Sequence, residues 1–264
     1  MEGLTLSGLN VYPIKSAAGI AAQSWDVDEF GLRYDRRWMV VDEHGGHVTQ
    51  REAPRLALVQ PSIVGDGLRI SAPDRAPMNV PLEPSARVTT TAVVWGEACA
   101  ANWMGGRAAT WFSELLGQPC SLVYMPASTL RHADPAYAPP GVRVSFADAL
   151  PFLLISEESL TDLNNRLRSP VPMNRFRPNL IIAGGEPYVE DRLATFTIGA
   201  LTFERVKPCD RCVVTTIDQA TTERGREPLR TLATYRKVKD KVFFGQNVVH
   251  HTTGQLRVGE PVRV

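Results

Sequence analysis

Residues 37–50, RWMVVDEHGGHVTQ, set Gly45 and Gly46 between two extended runs, and the same punctuation recurs along the first half of the chain. Paired glycines supply the positive φ that a tight reversal needs, so apolar and β-branched residues on either side predict a hairpin. LTLSGLNVYPI alternates apolar and polar positions until it meets Pro13, and ALVQPSIVGDGLRISAP turns at Gly65, Asp66 and Gly67. Segments this short and this alternating do not make a helical bundle; they have to pair into sheets that pack on one another or close into barrels. The first helical pattern comes late, over about residues 108–116, where Trp111, Phe112, Leu115 and Leu116 fall at helical spacing and Gly117 stops the run.

A Pro- and Ala-rich connection, LVYMPASTLRHADPAYAPPGVRVSFADAL, leads to a different pattern. SEESLTDLNNRLR offers Ser156 as N-cap, Glu157 and Glu158 in the first turn, and Leu160, Leu163 and Leu167 on one face. Strands are expected at PNLIIAG, FTIGALTFERV and CVVTTID, then a short helix near EPLRTLATY and closing strands at KVFFGQNVV and QLRVGEPVRV. The expected fold is α+β and β-dominated, with one β-rich domain over residues 1–125 and a second over 126–264.

With 29 Lys and Arg against 28 Asp and Glu, the chain has no general attraction for polyanions, and no nucleic-acid role is expected. No segment stays apolar for the ~20 residues of a membrane span, and MEGLTLSGLNVYPIKS lacks the basic, apolar and small-residue order of a signal peptide. A cytoplasmic location is the expectation. In that reducing compartment four cysteines among 44% apolar residues are not expected to form a disulfide framework.

KPCDRC, residues 207–212, therefore needs another reading. Thioredoxin-type chemistry wants C-x-x-C at a helix start, whereas Cys212 is followed by Val213, Val214, Thr215 and Thr216, a strand pattern. Structural zinc wants a second ligand pair, and Cys99 and Cys120 lie apart; HGGH is better explained as a turn. Two readings stay open on spacing alone: a single thiolate, stabilised by Lys207 and Arg211, that ligates a soft metal, or cysteines that serve as small buried hydrophobes.

YPIKS, YDRRWMVV, VTQREAPRLALV, PFLLISEESLTDLNNRL, RFRPNLII, KPCDRCVVTTID and FFGQNVV, in this order, resemble the MOSC family with its N-terminal β-barrel companion domain, and within it the amidoxime-reducing components. The resemblance spans nearly the whole chain. It implies a pyranopterin molybdenum cofactor (molybdopterin) whose metal takes one protein thiolate, Cys212, which is then the catalytic ligand. Cofactor contacts fall on Lys15, Ser16, Arg36, Arg177, Asn179, Asp210 and Arg211. Lys15 and Arg36 are cationic donors of the kind a phosphate requires. Asp210 stands where relatives often carry Ser, and Ala149 and Leu150 where some use a Thr-Ser pair.

The implied reaction is reduction of N-hydroxylated small molecules (hydroxylamines, amidoximes, N-hydroxylated bases). The alternative is a carrier that holds the cofactor without turnover. The 264 residues contain no G-x-G-x-x-G fingerprint and no ferredoxin-type cysteine spacing, so electrons are expected from a separate iron–sulfur or haem carrier with its NAD(P)H reductase.

Overall fold

The structure is a computed structural model that describes residues 3–84 and 88–264. Its largest sheet runs, from edge to edge, through Val262–Arg263, Thr195–Ile198, Leu201–Asp210, Lys241–His250, Phe152–Ser156, Leu180–Ala183, Thr5–Val11 and Ile20–Ala22, with Lys237–Val238 added on Lys241–His250. The first strand of the chain thus lies among the strands of its second half, with Thr5 opposite Ala183 and Leu9 opposite Leu180. A second tie is the pairing of Ser24–Asp28 with Gly254–Arg257.

Phe152–Ser156 and Leu180–Ala183 are parallel neighbours, joined through helix Glu157–Arg166 as a β-α-β unit. Side chains alternate across these strands. Phe152, Leu154, Leu180 and Ile182 enter one core with Leu6, Leu9, Phe196, Phe203 and Val248, whereas Leu153 and Ile155 enter another with Leu163, Phe176 and Phe244. The helix begins where its local chemistry says it should, since the Ser156 hydroxyl accepts the Ser159 N–H at 3.1 Å. Leu163 is its fully buried anchor.

The first half builds a four-stranded sheet in the order Trp38–Asp42, Cys120–Tyr124, Glu97–Trp103, Thr89–Val94. Helix Gly106–Leu116 buries Ala108, Trp111, Phe112 and Leu115 against it and ends at Gly117, whose φ of 70° only glycine adopts freely. Gly65 and Asp66 form the two-residue turn between Gln60–Val64 and Gly67–Ser71. The reversal at Gly45 and Gly46 is wider: the Asp42 carboxylate accepts the N–H groups of His44 and Gly46, each at 2.8 Å, and Val48 returns to donate to the Val40 carbonyl.

CVVTTID is not a strand. Val213–Thr216 forms a 3-10 helix for which Cys212 is the N-cap residue. The hydroxyls of Thr215 and Thr216 donate back to the carbonyls of Cys212 and Val213 at 2.9 and 2.8 Å, a local alternative that β-branched composition conceals. The strand expected there, used above to argue against a helix-start thiol, is thereby corrected. Among the described residues no helix is long and apolar enough to cross a membrane.

Candidate functional site

A cavity of about 240 Å³ opens where the two halves meet, and Lys15, Ser16, Arg36, Arg177, Asn179, Asp210, Arg211 and Cys212 all line it. Thr49, Arg51, Asp148, Lys207, Cys209 and Asn247 complete much of its wall. Residues as far apart in sequence as Lys15 and Asn247 converge because the strand Thr5–Val11 delivers Lys15 and Ser16 beside the loop that carries Arg177 and Asn179.

Three of the lining residues hold a backbone conformation that L-residues avoid: Ser16 at φ 67°, Arg36 at φ 49° and Arg177 at φ 58°. Such strain persists only where the surroundings over-determine it, and it clusters at functional sites. Here the surroundings are backbone hydrogen bonds from Lys15 N–H to the Trp38 carbonyl and from Arg36 N–H to the Tyr12 carbonyl, both 2.8 Å.

Asp35 and Asn179 hold Arg36. The guanidinium donates to the Asp35 carboxylate at 2.5 Å and to Asn179 Oδ1 at 2.9 Å, while Asn179 Nδ2 donates to the other Asp35 oxygen at 3.1 Å. Asp35 is 2% exposed, and burial pushes its carboxyl upward against the pull of Arg36. Tyr12 lies between two guanidinium groups, 4.6 Å from Arg36 and 4.4 Å from Arg177. Burial raises its hydroxyl to about 12, so the ring stays neutral and its face serves both cations. Among the described residues the Arg177 side chain has one hydrogen bond, to the Ala17 carbonyl, and burial lowers its pKa to about 10. Lys15, buried, donates to the Phe146 carbonyl at 2.8 Å and pairs with Asp148.

All four cysteines are free, and the two of KPCDRC each meet a guanidinium. Arg211 Nη1 donates to Cys209 Sγ at 2.9 Å, and Arg51 Nη2 donates to Cys212 Sγ at 3.2 Å. The expected pairing of a thiolate with Lys207 and Arg211 is therefore redistributed: Arg211 serves Cys209, Arg51 serves Cys212, and the Lys207 ammonium sits 3.7 Å over the Tyr137 ring. Asp210 lines the cavity but directs its carboxylate to Lys241 at 3.1 Å. Arg51, Tyr12 and Asp35 were not anticipated as site residues; all lie within or beside the sequence blocks quoted above, yet nothing in their spacing marks a role.

The donor set decides what fits. Six cations, Lys15, Arg36, Arg51, Arg177, Lys207 and Arg211, surround two thiols, with only Asp148 and Asp210 as lining carboxylates. Arg211 Nε is buried without a hydrogen-bond partner, the kind of orphan donor that an anionic ligand satisfies. Such a wall suits a polyanionic group that brings a soft metal to one thiolate. Among the described residues no three His, Cys, Asp or Glu side chains converge on a metal position.

The MOSC N-terminal beta barrel domain matches residues 3–119 and the MOSC domain matches residues 141–263. The chain is 34% identical to the human mitochondrial amidoxime-reducing component 1 over 98% of its own length and 82% of that protein. It is 36% identical to the mouse protein of the same name, covering 98% of this chain and 81% of that one. It is also 35% identical to the rice (Oryza sativa subsp. japonica) molybdenum cofactor sulfurase, over 93% of this chain but only 32% of that longer protein. Two domain families matched in tandem, and a third of the sequence shared with relatives over nearly its whole length, establish that the chain belongs to the MOSC family.

Proposed function

We propose that this chain binds a molybdenum–pyranopterin cofactor in the cavity between its halves and uses it to reduce N-hydroxylated compounds. The observation that supports this most directly is the pair of thiols under guanidinium donors in a strongly cationic cavity. Cys212 would be the metal's thiolate. Lys15, Ser16, Arg36, Arg177 and Arg211 would hold the anionic cofactor, and Asn179 would orient Arg36 for it. When bound, the cofactor supplies a two-electron redox couple and an oxygen acceptor.

The chain's own residues bind, orient and hold charge. The overall change balances as R–NHOH + 2e⁻ + 2H⁺ → R–NH₂ + H₂O, with an amidoxime going likewise to an amidine. Electrons would come from a separate iron–sulfur or haem protein and its nicotinamide reductase, through the small transient contact usual for redox partners. A second reading, favoured by the similarity to the sulfurase, is that the cavity stores or hands on the cofactor without turnover.

The deciding experiment is to express the chain in a cofactor-making host, measure molybdenum and pterin, and supply reduced viologen with an amidoxime. Stoichiometric molybdenum with amidine formation supports the reductase; molybdenum without amidine supports the carrier. NADH alone is expected to give no turnover, and brisk NADH oxidation by the homogeneous chain would remove the separate electron donor from this account.

A further inference from the structure

Lys207 and Asn247 face each other across neighbouring strands, Leu201–Asp210 and Lys241–His250, as register partners. Directly opposed residues of an antiparallel pair present their side chains on the same face, about 4.5–5.5 Å apart at Cβ. Both residues line the cavity. The other lining cations are engaged: Lys15 by Asp148, Arg36 by Asp35 and Asn179, Arg177 by the Ala17 carbonyl, Arg211 by the Phe176 carbonyl and Arg51 by Cys212. Lys207 is different. Among the described residues its ammonium meets no carboxylate and no hydrogen-bond acceptor, only the face of Tyr137. That contact steadies the side chain while leaving its N–H donors available.

We propose that Lys207 and Asn247 form a receptor for an oxyanion on the substrate, so that the preferred substrates are N-hydroxylated compounds carrying a carboxylate or a phosphate. This rests on the reductase reading given above. An ammonium and a side-chain amide that share one face of the sheet supply donors of the kind that recognise a compact oxyanion. Both lining carboxylates are already matched, Asp148 with Lys15 and Asp210 with Lys241, which leaves the charge of Lys207 uncompensated. Lys207 stands two residues before Cys209 on the same strand, which brings the receptor to the thiol side of the cavity.

The test is calorimetric titration of the molybdenum-loaded protein with benzamidoxime, 4-carboxybenzamidoxime and the 4-phosphono analogue, in wild type and Lys207→Met. One charge-assisted hydrogen bond predicts that an anionic analogue binds wild type about tenfold or more tightly than the neutral parent. The ratio is expected to collapse towards one in Lys207→Met, and in wild type to shrink with added salt. The tighter of the two anionic analogues identifies the oxyanion. Equal or undetectable binding of the three compounds to wild type, a preference that survives Lys207→Met, or loss of molybdenum from that variant, which would give Lys207 to the cofactor, each overturns the proposal. Failure of the reductase reading looks different: the anionic preference is present, yet no N-hydroxylated compound is reduced by viologen-supplied electrons.

Discussion

Gln50 and Gln219 lock their side-chain amides together, Gln50 Nε2 donating to Gln219 Oε1 at 3.0 Å and Gln219 Nε2 donating to Gln50 Oε1 at 2.9 Å. Gln50 is fully buried and gives its amide also to the Ser16 carbonyl at 2.7 Å. One side chain thus joins the loop of Ser16 to the turn that follows the 3-10 helix Val213–Thr216, and it is adjacent in sequence to Arg51. Gln50→Leu leaves those acceptors and donors without partners. A loss of about 1–3 kcal/mol in stability is expected, read by urea denaturation. Gln219→Leu should add little to it, because the two residues act as a pair.

Asp35 is buried and its half-buried partner Arg36 is its cation, so removing Arg36 strands the carboxylate. Arg36→Ala is expected to destabilise the fold by about 1–3 kcal/mol, since the Asp35 carboxylate would stay buried with only the Tyr12 and Asn179 N–H donors. Asp35→Asn combined with Arg36→Met should recover part of that loss. Denaturation midpoints of the three proteins check it, and an Arg36→Ala protein as stable as wild type would contradict the ion-pair account.

Arg177 offers a cleaner probe of cofactor binding. Its guanidinium is tied to the fold by one hydrogen bond, at Ala17, so Arg177→Met keeps most of the packing against Tyr12. Losing a charge-assisted donor should weaken cofactor binding by about 1.5–3 kcal/mol, tenfold or more. Molybdenum and pterin should fall together in the purified protein while its melting temperature stays close to that of the wild type freed of cofactor. Full cofactor content in the variant would take Arg177 out of the site.

Cys212 and Cys209 should behave differently when changed singly. Cys212→Ser is expected to abolish activity, since a hard hydroxyl replaces a soft thiolate poorly, and Cys209→Ser to retain a substantial part. Spectroscopy of the molybdenum centre in each variant separates them. Equal loss from both would indicate a working dithiol.

How far these relationships were readable beforehand depends on their range. Helix Glu157–Arg166 was legible because its signals are local: Ser156 caps it, Glu157 and Glu158 face its dipole, and Leu163 anchors it. Residues 213–216 were misread because Val and Thr speak for a strand, while the hydroxyl bonds of Thr215 and Thr216 that turn the backbone are visible only in place. Arg51 against Cys212 joins positions 161 residues apart, and no spacing rule reaches that far. The convergence of eight expected residues on one cavity came through family resemblance, since any single Arg among them reads equally well as a surface ion pair.

His250 gives a pH dependence with a defined sign. Burial lowers its pKa, outweighing the hydrogen bond to the Asp28 carbonyl at 2.7 Å. The unfolded chain then takes up a proton at higher pH than the folded one, so stability falls as pH drops below the ordinary histidine value of about 6.5. Stability measured from pH 7.5 down to pH ~5 should decline less steeply in His250→Gln than in wild type. Parallel curves would mean that His250 is not protonated differently in the two states.

The placement of Thr5–Val11 between Leu180–Ala183 and Ile20–Ala22 has a consequence for how the molecule is made. At about 5–20 residues per second of synthesis, the strand's partner Leu180–Ala183 leaves the ribosome roughly ten to thirty seconds after it. Until then one row of its N–H and C=O groups has no native partner and can recruit a neighbouring nascent chain. Lys15 and Ser16 follow closely on that strand, whereas Cys212 and the central strand Lys241–His250 are made after Leu180–Ala183. The cavity therefore has no complete wall until residues from Lys15 to Asn247 have been made and the strands that carry them have paired.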